Sequence, residues 1–223
     1  MTLISILIAL ALEQLRPLGS RNRLLLHFTR YANRLERNLN AGESRHGLLA
    51  WLLAVVPFVA LAYGIYAALY QVTPVLALLW NVAVLYLTMG FRHFSGAITD
   101  ISKALADGRV HDARAALGRW SGQSTSELEV NEISRLTIEQ GVTDAYRHVF
   151  ATLFWFVVLP GPAGAVLYRL SCMLYQKWGL REGQPGDQFG LPARKLCEWL
   201  DWIPVRLTSI SFAVMGDFED AIY

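Results

Sequence analysis

The sequence predicts an all-α, multi-pass α-helical integral membrane protein with a cytoplasmic helical insertion. Three observations carry that prediction. Of 223 residues, 54% are hydrophobic and 17% charged, with a mean hydropathy of +0.32, whereas an ordinary soluble domain carries roughly 25% charged residues. From His46 to Phe91 there is no Asp, Glu, Lys or Arg, a run long enough to cross a hydrocarbon core of about 30 Å twice. Nowhere does an alternating β pattern of useful length appear, while apolar residues recur at helical spacing.

The elements follow in order. Thr2 to Leu12 is apolar and then meets Glu13; without a basic flank or a small-residue cleavage site it reads as a short retained membrane helix. It opens a segment 1–47 whose remainder is basic: Arg16, Arg21, Arg23, Arg30, Arg34, Arg37 and Arg45 against Glu36 and Glu43. Segment 48–91 is a transmembrane hairpin, Leu48 to Tyr70 outward and Val75 to Gly90 back, turning at Gln71-Val72-Thr73-Pro74. Tyr63, Tyr66 and Tyr70 crowd the turn, and Trp51 sits near the far end, where amphipathic rings meet headgroups. The arginine excess over residues 16–45 places that stretch and the polar region from Arg92 onward on the cytoplasmic side. Anionic lipid is the nearer partner for those arginines, and no nucleic acid is expected.

Segment 92–147 is the polar insertion. Ile98, Ile101 and Leu105 share one helical face, as do Ala113, Ala116, Leu117 and Trp120; Gly108 and Ser121-Gly122-Gln123-Ser124 separate helices. Ser126-x-x-Glu129 has the form of a capping box opening a third helix. In segment 148–175 the charge-free stretch His148 to Tyr168 is interrupted by Pro160-Gly161-Pro162, giving either one kinked span or a re-entrant hairpin whose backbone needs a protein or cavity lining. Segment 176–202 is a polar loop and helix, and 203–223 an interfacial or partly inserted helix.

Common nucleotide and metal motifs are absent. Cys172 and Cys197 cannot form a disulfide framework and read as buried free thiols. The densest polar cluster is Glu132, Arg135, Thr137, Glu139, Asp144, Arg147 and His148. Glu132, Arg135 and Glu139 share a face that Asp144, Arg147 and His148 continue. Polar groups entering a bilayer mark substrate or ion paths; the alternative is a row of ion pairs on a solvated helix. In Asp201-Trp202-Ile203-Pro204-Val205-Arg206, Pro204 reads as opening a helix that Asp201 caps, or where Asp201 and Arg206 hold a phosphate-bearing ligand.

The runs Ala104-Leu105 … Gly108 … Ala113-Arg114 … Leu117, Ser121-Gly122-Gln123-Ser124-Thr125 … Leu128 and Glu132-Ile133-x-Arg135-x-Thr137-Ile138-Glu139 resemble the CobD/CbiB family. Leu153-Phe154-Trp155-Phe156, Pro160 to Arg169 and Leu200 to Thr208 continue the resemblance over about Ala104 to Gly216. That family consists of multi-pass membrane proteins of cobalamin biosynthesis, adenosylcobinamide-phosphate synthases that join aminopropanol, or its phosphate, to a carboxylate of cobyric acid through an amide bond. The resemblance implies a ligase using ATP and Mg²⁺, with corrinoid and aminopropanol phosphate as substrates. Glu139 and Asp144 would be catalytic and Glu132 a metal ligand. Arg135, Thr137, Arg147, Asp201 and Arg206 would bind substrate.

The chain departs from the family pattern where Gly122-Gln123-Ser124-Thr125 replaces G-R-D-T and Cys172-Met173-Leu174-Tyr175 replaces N-T-L-D. Thr143, Asp144 and Arg147 stand where the family carries a Glu-Asn and an Asp. Glu13, Arg147 before Leu153-Phe154-Trp155, and Leu200 to Leu207 are also similar to an AmpE-like sister group. That similarity leaves a non-enzymatic inner-membrane signalling or sensor protein as the alternative reading. Relative to the family the sequence also reads as a shortened or truncated member.

Overall fold

A computed structural model describes residues 2–15, 23–40, 42–89, 91–122, 125–180 and 188–215, and every regular element among them is helical. Helix α1 (Thr2–Leu15) lies along α4 (Pro74–Thr88), and α2 (Arg23–Leu39) packs on α3 (Ser44–Val72). Thr73 alone separates α3 from α4, in an extended conformation. Pro74 then takes the first position of α4, where its missing N–H costs nothing. The hairpin expected over 48–91 therefore turns within one residue.

Helix α3 is about 44 Å long at 1.5 Å per residue, and it is the only described helix long and apolar enough to cross a membrane; α1 and α4 are apolar but shorter. Its surface is apolar as well as its packed face: Leu48, Leu52, Val56 and Leu61 are exposed while Ala50, Ala54 and Val55 are buried. Small residues on the packed face let the neighbouring backbones approach closely.

Helices α8 (Ala151–Val158) and α9 (Ala163–Leu174) fold back on each other at Pro160-Gly161-Pro162. Gly161 has φ +63°, and a Cβ on it would lie 2.7 Å from the ring of Tyr66. At Gly164 a Cβ would meet the Trp155 carbonyl oxygen at 1.9 Å. The two backbones are therefore in direct contact, and only glycine permits it.

The polar region forms α5 (Phe91–Ala106), α6 (Val110–Ser121) and α7 (Val130–Ala145) around a core of Ile101, Ala104, Ala113, Leu117 and Ile133. Gly108 and Gly122 end α5 and α6 with positive φ, as helix C-terminal glycines do. The capping box sits three residues later than the sequence suggests. Glu129 is the N-cap, and its N–H donates to the Glu132 carboxylate at 2.9 Å, while Ser126 lies in the preceding turn.

Two π-helical turns interrupt the helices. Tyr146–Phe150 joins α7 to α8 without a break, and Tyr175–Gly179 extends α9. Such turns widen a helix locally and concentrate at functional sites.

Helix α10 (Leu191–Met215) corrects the reading of Pro204, which lies in the helix interior and opens nothing, so Asp201 is not a cap. A proline removes the N–H that would bond the carbonyl four residues back. Here that carbonyl, Leu200 O, accepts the indole N–H of Trp155 at 3.1 Å instead. The same device recurs at Pro57 inside α3, where the hydroxyl of Tyr31 donates to Leu53 O at 3.2 Å. In each case an aromatic donor from another helix satisfies the carbonyl that the proline strands.

Candidate functional site

The densest polar grouping lies where the polar insertion meets the α8–α9 hairpin, and both π-turns border it. Asp201, half-buried on α10, is its centre. The hydroxyl of Tyr168, fully buried on α9, donates to Asp201 Oδ1 at 2.6 Å. The hydroxyl of Tyr146, from the first π-turn, reaches Asp201 Oδ1 at 3.3 Å and its carbonyl at 3.2 Å. The Cys197 thiol stands 3.9 Å from Asp201 Oδ2 and 3.3 Å from Cys172 Sγ. Burial, reinforced by Asp201, holds the Tyr146 phenol well above its usual range, so it donates to the carboxylate at any physiological pH. The Cys197 thiol is likewise pushed up, first by its bond to Cys172 and then by burial.

The cationic side of the seam is built from neighbouring residues. The guanidinium of Arg147 lies 5.7 Å from the centre of the Tyr175 ring, joining the two π-turns, and it feels the charge of Asp201. Arg169, next to Tyr168 on α9, donates through Nη1 to His148 Nδ1. Asp144 is near enough to act on Arg169 electrostatically, yet its carboxylate oxygens accept from Trp120 Nε1 at 3.0 Å and Gln140 Nε2 at 3.3 Å.

This geometry divides the residues singled out in the sequence. Asp144, Arg147 and Asp201 belong to the seam. Glu132, Arg135 and Glu139 are exposed on α7, and Glu139 borders a small pocket of about 90 Å³ with Ser121, Gln140 and Thr143. Thr137 is buried and returns its hydroxyl to Ile133 O at 2.6 Å. Arg206 is exposed and stacks over Trp202 at 3.9 Å, away from Asp201. The single face drawn from Glu132 to His148 is therefore not one face. Asp144 stands five residues past Glu139, about 140° round at 100° per residue, and the π-turn shifts Arg147 and His148 further.

Glu132 spends its carboxylate on the cap, and among the described residues no three His, Cys, Asp or Glu side chains converge. Tyr146, Tyr168 and Arg169 are the functional candidates that sequence reasoning passed over, while Cys197 is the buried free thiol it expected. Only Arg169 left a signal there, as a charge immediately after a long charge-free run.

The family described as CobD/Cbib protein matches residues 6–222. A "Cobalamin biosynthesis protein CobD" of Stutzerimonas stutzeri is 33% identical over 223 residues, covering 98% of this chain and 71% of that protein. Proteins of the same name from Chromobacterium violaceum and Halalkalibacterium halodurans are 36% and 26% identical, over 76% and 87% of this chain. The chain spans only 52% and 59% of those two relatives. No solved structure matches it.

Proposed function

We propose that this chain, which belongs to the CobD/CbiB family, serves cobalamin biosynthesis by joining aminopropanol or its phosphate to a carboxylate of cobyric acid through an amide bond. The observation that carries the reading is the 33% identity to a cobalamin biosynthesis protein across 98% of the chain. The AmpE-like alternative draws no support from these relatives.

The protein works as a multi-pass protein of the bacterial inner membrane, with the arginines of segment 1–47 and helices α5 to α7 on the cytoplasmic side. The apolar exterior of α1, α3 and α4 supports this placement. A corrinoid and a small amino alcohol phosphate then meet at the seam between the polar insertion and the hairpin. The reaction needs an activated acyl group, for which ATP with Mg²⁺ enters as co-substrate, and a site that keeps water from it. Asp201, held by Tyr168 and Tyr146, is placed to take the proton released by the attacking amine; Arg147 balances its charge. Glu139 at its small pocket is the competing base.

The test is condensation by the purified protein in detergent, supplied with cobyric acid, aminopropanol phosphate and Mg-ATP, with product read by mass spectrometry. Amide product above a no-protein control is expected. Its absence from protein shown to be folded would remove the synthase reading.

A further inference from the structure

Arg169 is the one residue of the seam whose chemistry is left incomplete. Its Nε is buried and has no hydrogen-bond partner. Among the described residues the guanidinium makes a single hydrogen bond, from Nη1 to His148 Nδ1, a neutral acceptor that supplies no negative charge. Asp144 acts on it electrostatically but forms no ion pair with it; its carboxylate oxygens accept from Trp120 and Gln140. A buried guanidinium N–H without an acceptor is disfavoured. Buried ionisable groups that lack a charge partner are candidates for ligand sites.

The surroundings fit an incoming oxyanion. Arg147 and His148 belong to the π-turn that faces α9, and Tyr168 and Cys172 lie close enough to act electrostatically on both Arg147 and Arg169. Arg147 adjoins His148, the hydrogen-bond partner of Arg169, and lies over the ring of Tyr175, just past the end of α9. Arg147, His148 and Arg169 are each only half-buried, so this patch is open on one side. The adjacent hydroxyl of Tyr168 points to Asp201, which sets a carboxylate beside the cationic patch. A small ligand with an anionic end and an ammonium end would find partners for both.

We propose that Arg169, with Arg147 and His148, forms an oxyanion site for the phosphate of a small phosphorylated amine whose ammonium lies toward Asp201. The fork of Arg169 donates to the phosphate oxygens. This deepens the functional reading above by assigning one substrate's anionic end to particular residues.

The test is isothermal titration of the full chain in detergent with aminopropanol phosphate and, separately, with aminopropanol, which differ only in the phosphate. The wild-type protein should bind the phosphate ester at least about tenfold more tightly, the scale of a charge-assisted bond. Arg169→Gln should abolish that preference and leave aminopropanol binding unchanged, with Arg169→Lys intermediate. Asp144→Asn removes the competing carboxylate and should leave the preference intact or increase it. Equal binding of the two ligands by wild-type protein, or an undiminished preference in Arg169→Gln, would overturn the site. Should Arg169→Gln not fold, Arg169→Lys and His148→Gln carry the test, and an unchanged preference in both has the same consequence. The result separates from the condensation assay. Phosphate-dependent binding without amide product would sink the synthase and keep the site. Full turnover by Arg169→Gln would keep the synthase and sink the site.

Discussion

The polar insertion and the apolar bundle are both helical, yet they sort their residues in opposite directions. In α5 to α7 the core is Ile101, Leu117 and Ile133, and the charges Glu132, Arg135 and Glu139 face outward. In the bundle the exterior is Leu3, Leu7, Leu52, Leu61 and Leu79, while Ser5, Glu13, Asn81, Thr152 and Ser171 are buried. Water explains the first arrangement through the burial of apolar area. The second is the sorting that the proposed hydrocarbon surroundings would give, because hydrocarbon would remove the hydrophobic drive between helices and leave close packing and polar contacts to hold them. The seam lies where the two regimes meet, and there Tyr168 and Arg169 of an otherwise apolar hairpin stand beside the Asp201 carboxylate of α10.

If the bundle rests on backbone-close packing, a single methyl should break it. Gly164→Ala places its Cβ against the Trp155 carbonyl oxygen, a contact with backbone that no rotamer change relieves. It should cost about 3 kcal/mol or more, seen as a large drop in melting temperature in detergent or as loss of folded protein. Gly64→Ala on α3 is the control, since a Cβ there meets nothing within 4 Å. It should be neutral or gain about 0.5–1 kcal/mol from helix propensity. Equal tolerance of the two changes would mean that α8 and α9 are not packed backbone to backbone.

Polar contacts inside the bundle should matter more than those in the insertion. Tyr168→Phe deletes the 2.6 Å donor to Asp201 and should cost about 1.5–3 kcal/mol, the range for a bond to a charged group. Thr137→Val removes a buried hydroxyl that only returns to its own helix and should cost about 1 kcal/mol or less. Denaturant titration of both variants orders them, and a larger loss at Thr137 would reverse the contrast.

The stranded carbonyl at Pro204 allows a finer test. Trp155→Phe leaves Leu200 O without a donor and should cost about 1–3 kcal/mol. In a Pro204→Ala background residue 204 regains its N–H, the helix bonds its own carbonyl, and the same change should cost less by about 1 kcal/mol. A double-mutant cycle reads that coupling, and additive losses would show that the indole bond does not serve the proline.

How much of this was legible follows from where the information sits. The charge-free run marked α3 and α4, and helical spacing with glycine stops marked α5 and α6, because those signals are local. Pro204 misled because proline is usually a boundary. Its tolerance inside α10 depends on Trp155, 49 positions earlier in the chain and invisible to any window. The partners of Asp201 arrive from 33 and 55 residues away, so the sequence pointed to the carboxylate but not to Tyr168 or Tyr146. The face running from Glu132 to His148 failed on geometry: five residues do not return to the same side of a helix, and a π-turn has no sequence signature.

The smallest structural effect distinguishes the two candidate bases. Glu139 is exposed on α7, on the solvated side of the comparison, so Glu139→Gln should alter stability by no more than about 0.5 kcal/mol. A fall in turnover in that variant therefore reports chemistry, with little contribution from unfolding. If Glu139 is the base, turnover should drop at least about 10²-fold with the melting temperature unchanged. If Asp201 is the base, Glu139→Gln should keep turnover within a few-fold, while Asp201→Asn should lose the about 10²-fold and retain the acceptor oxygen that Tyr168 bonds. Measuring both variants for turnover and melting temperature assigns the proton-accepting group either to the solvated insertion or to the seam.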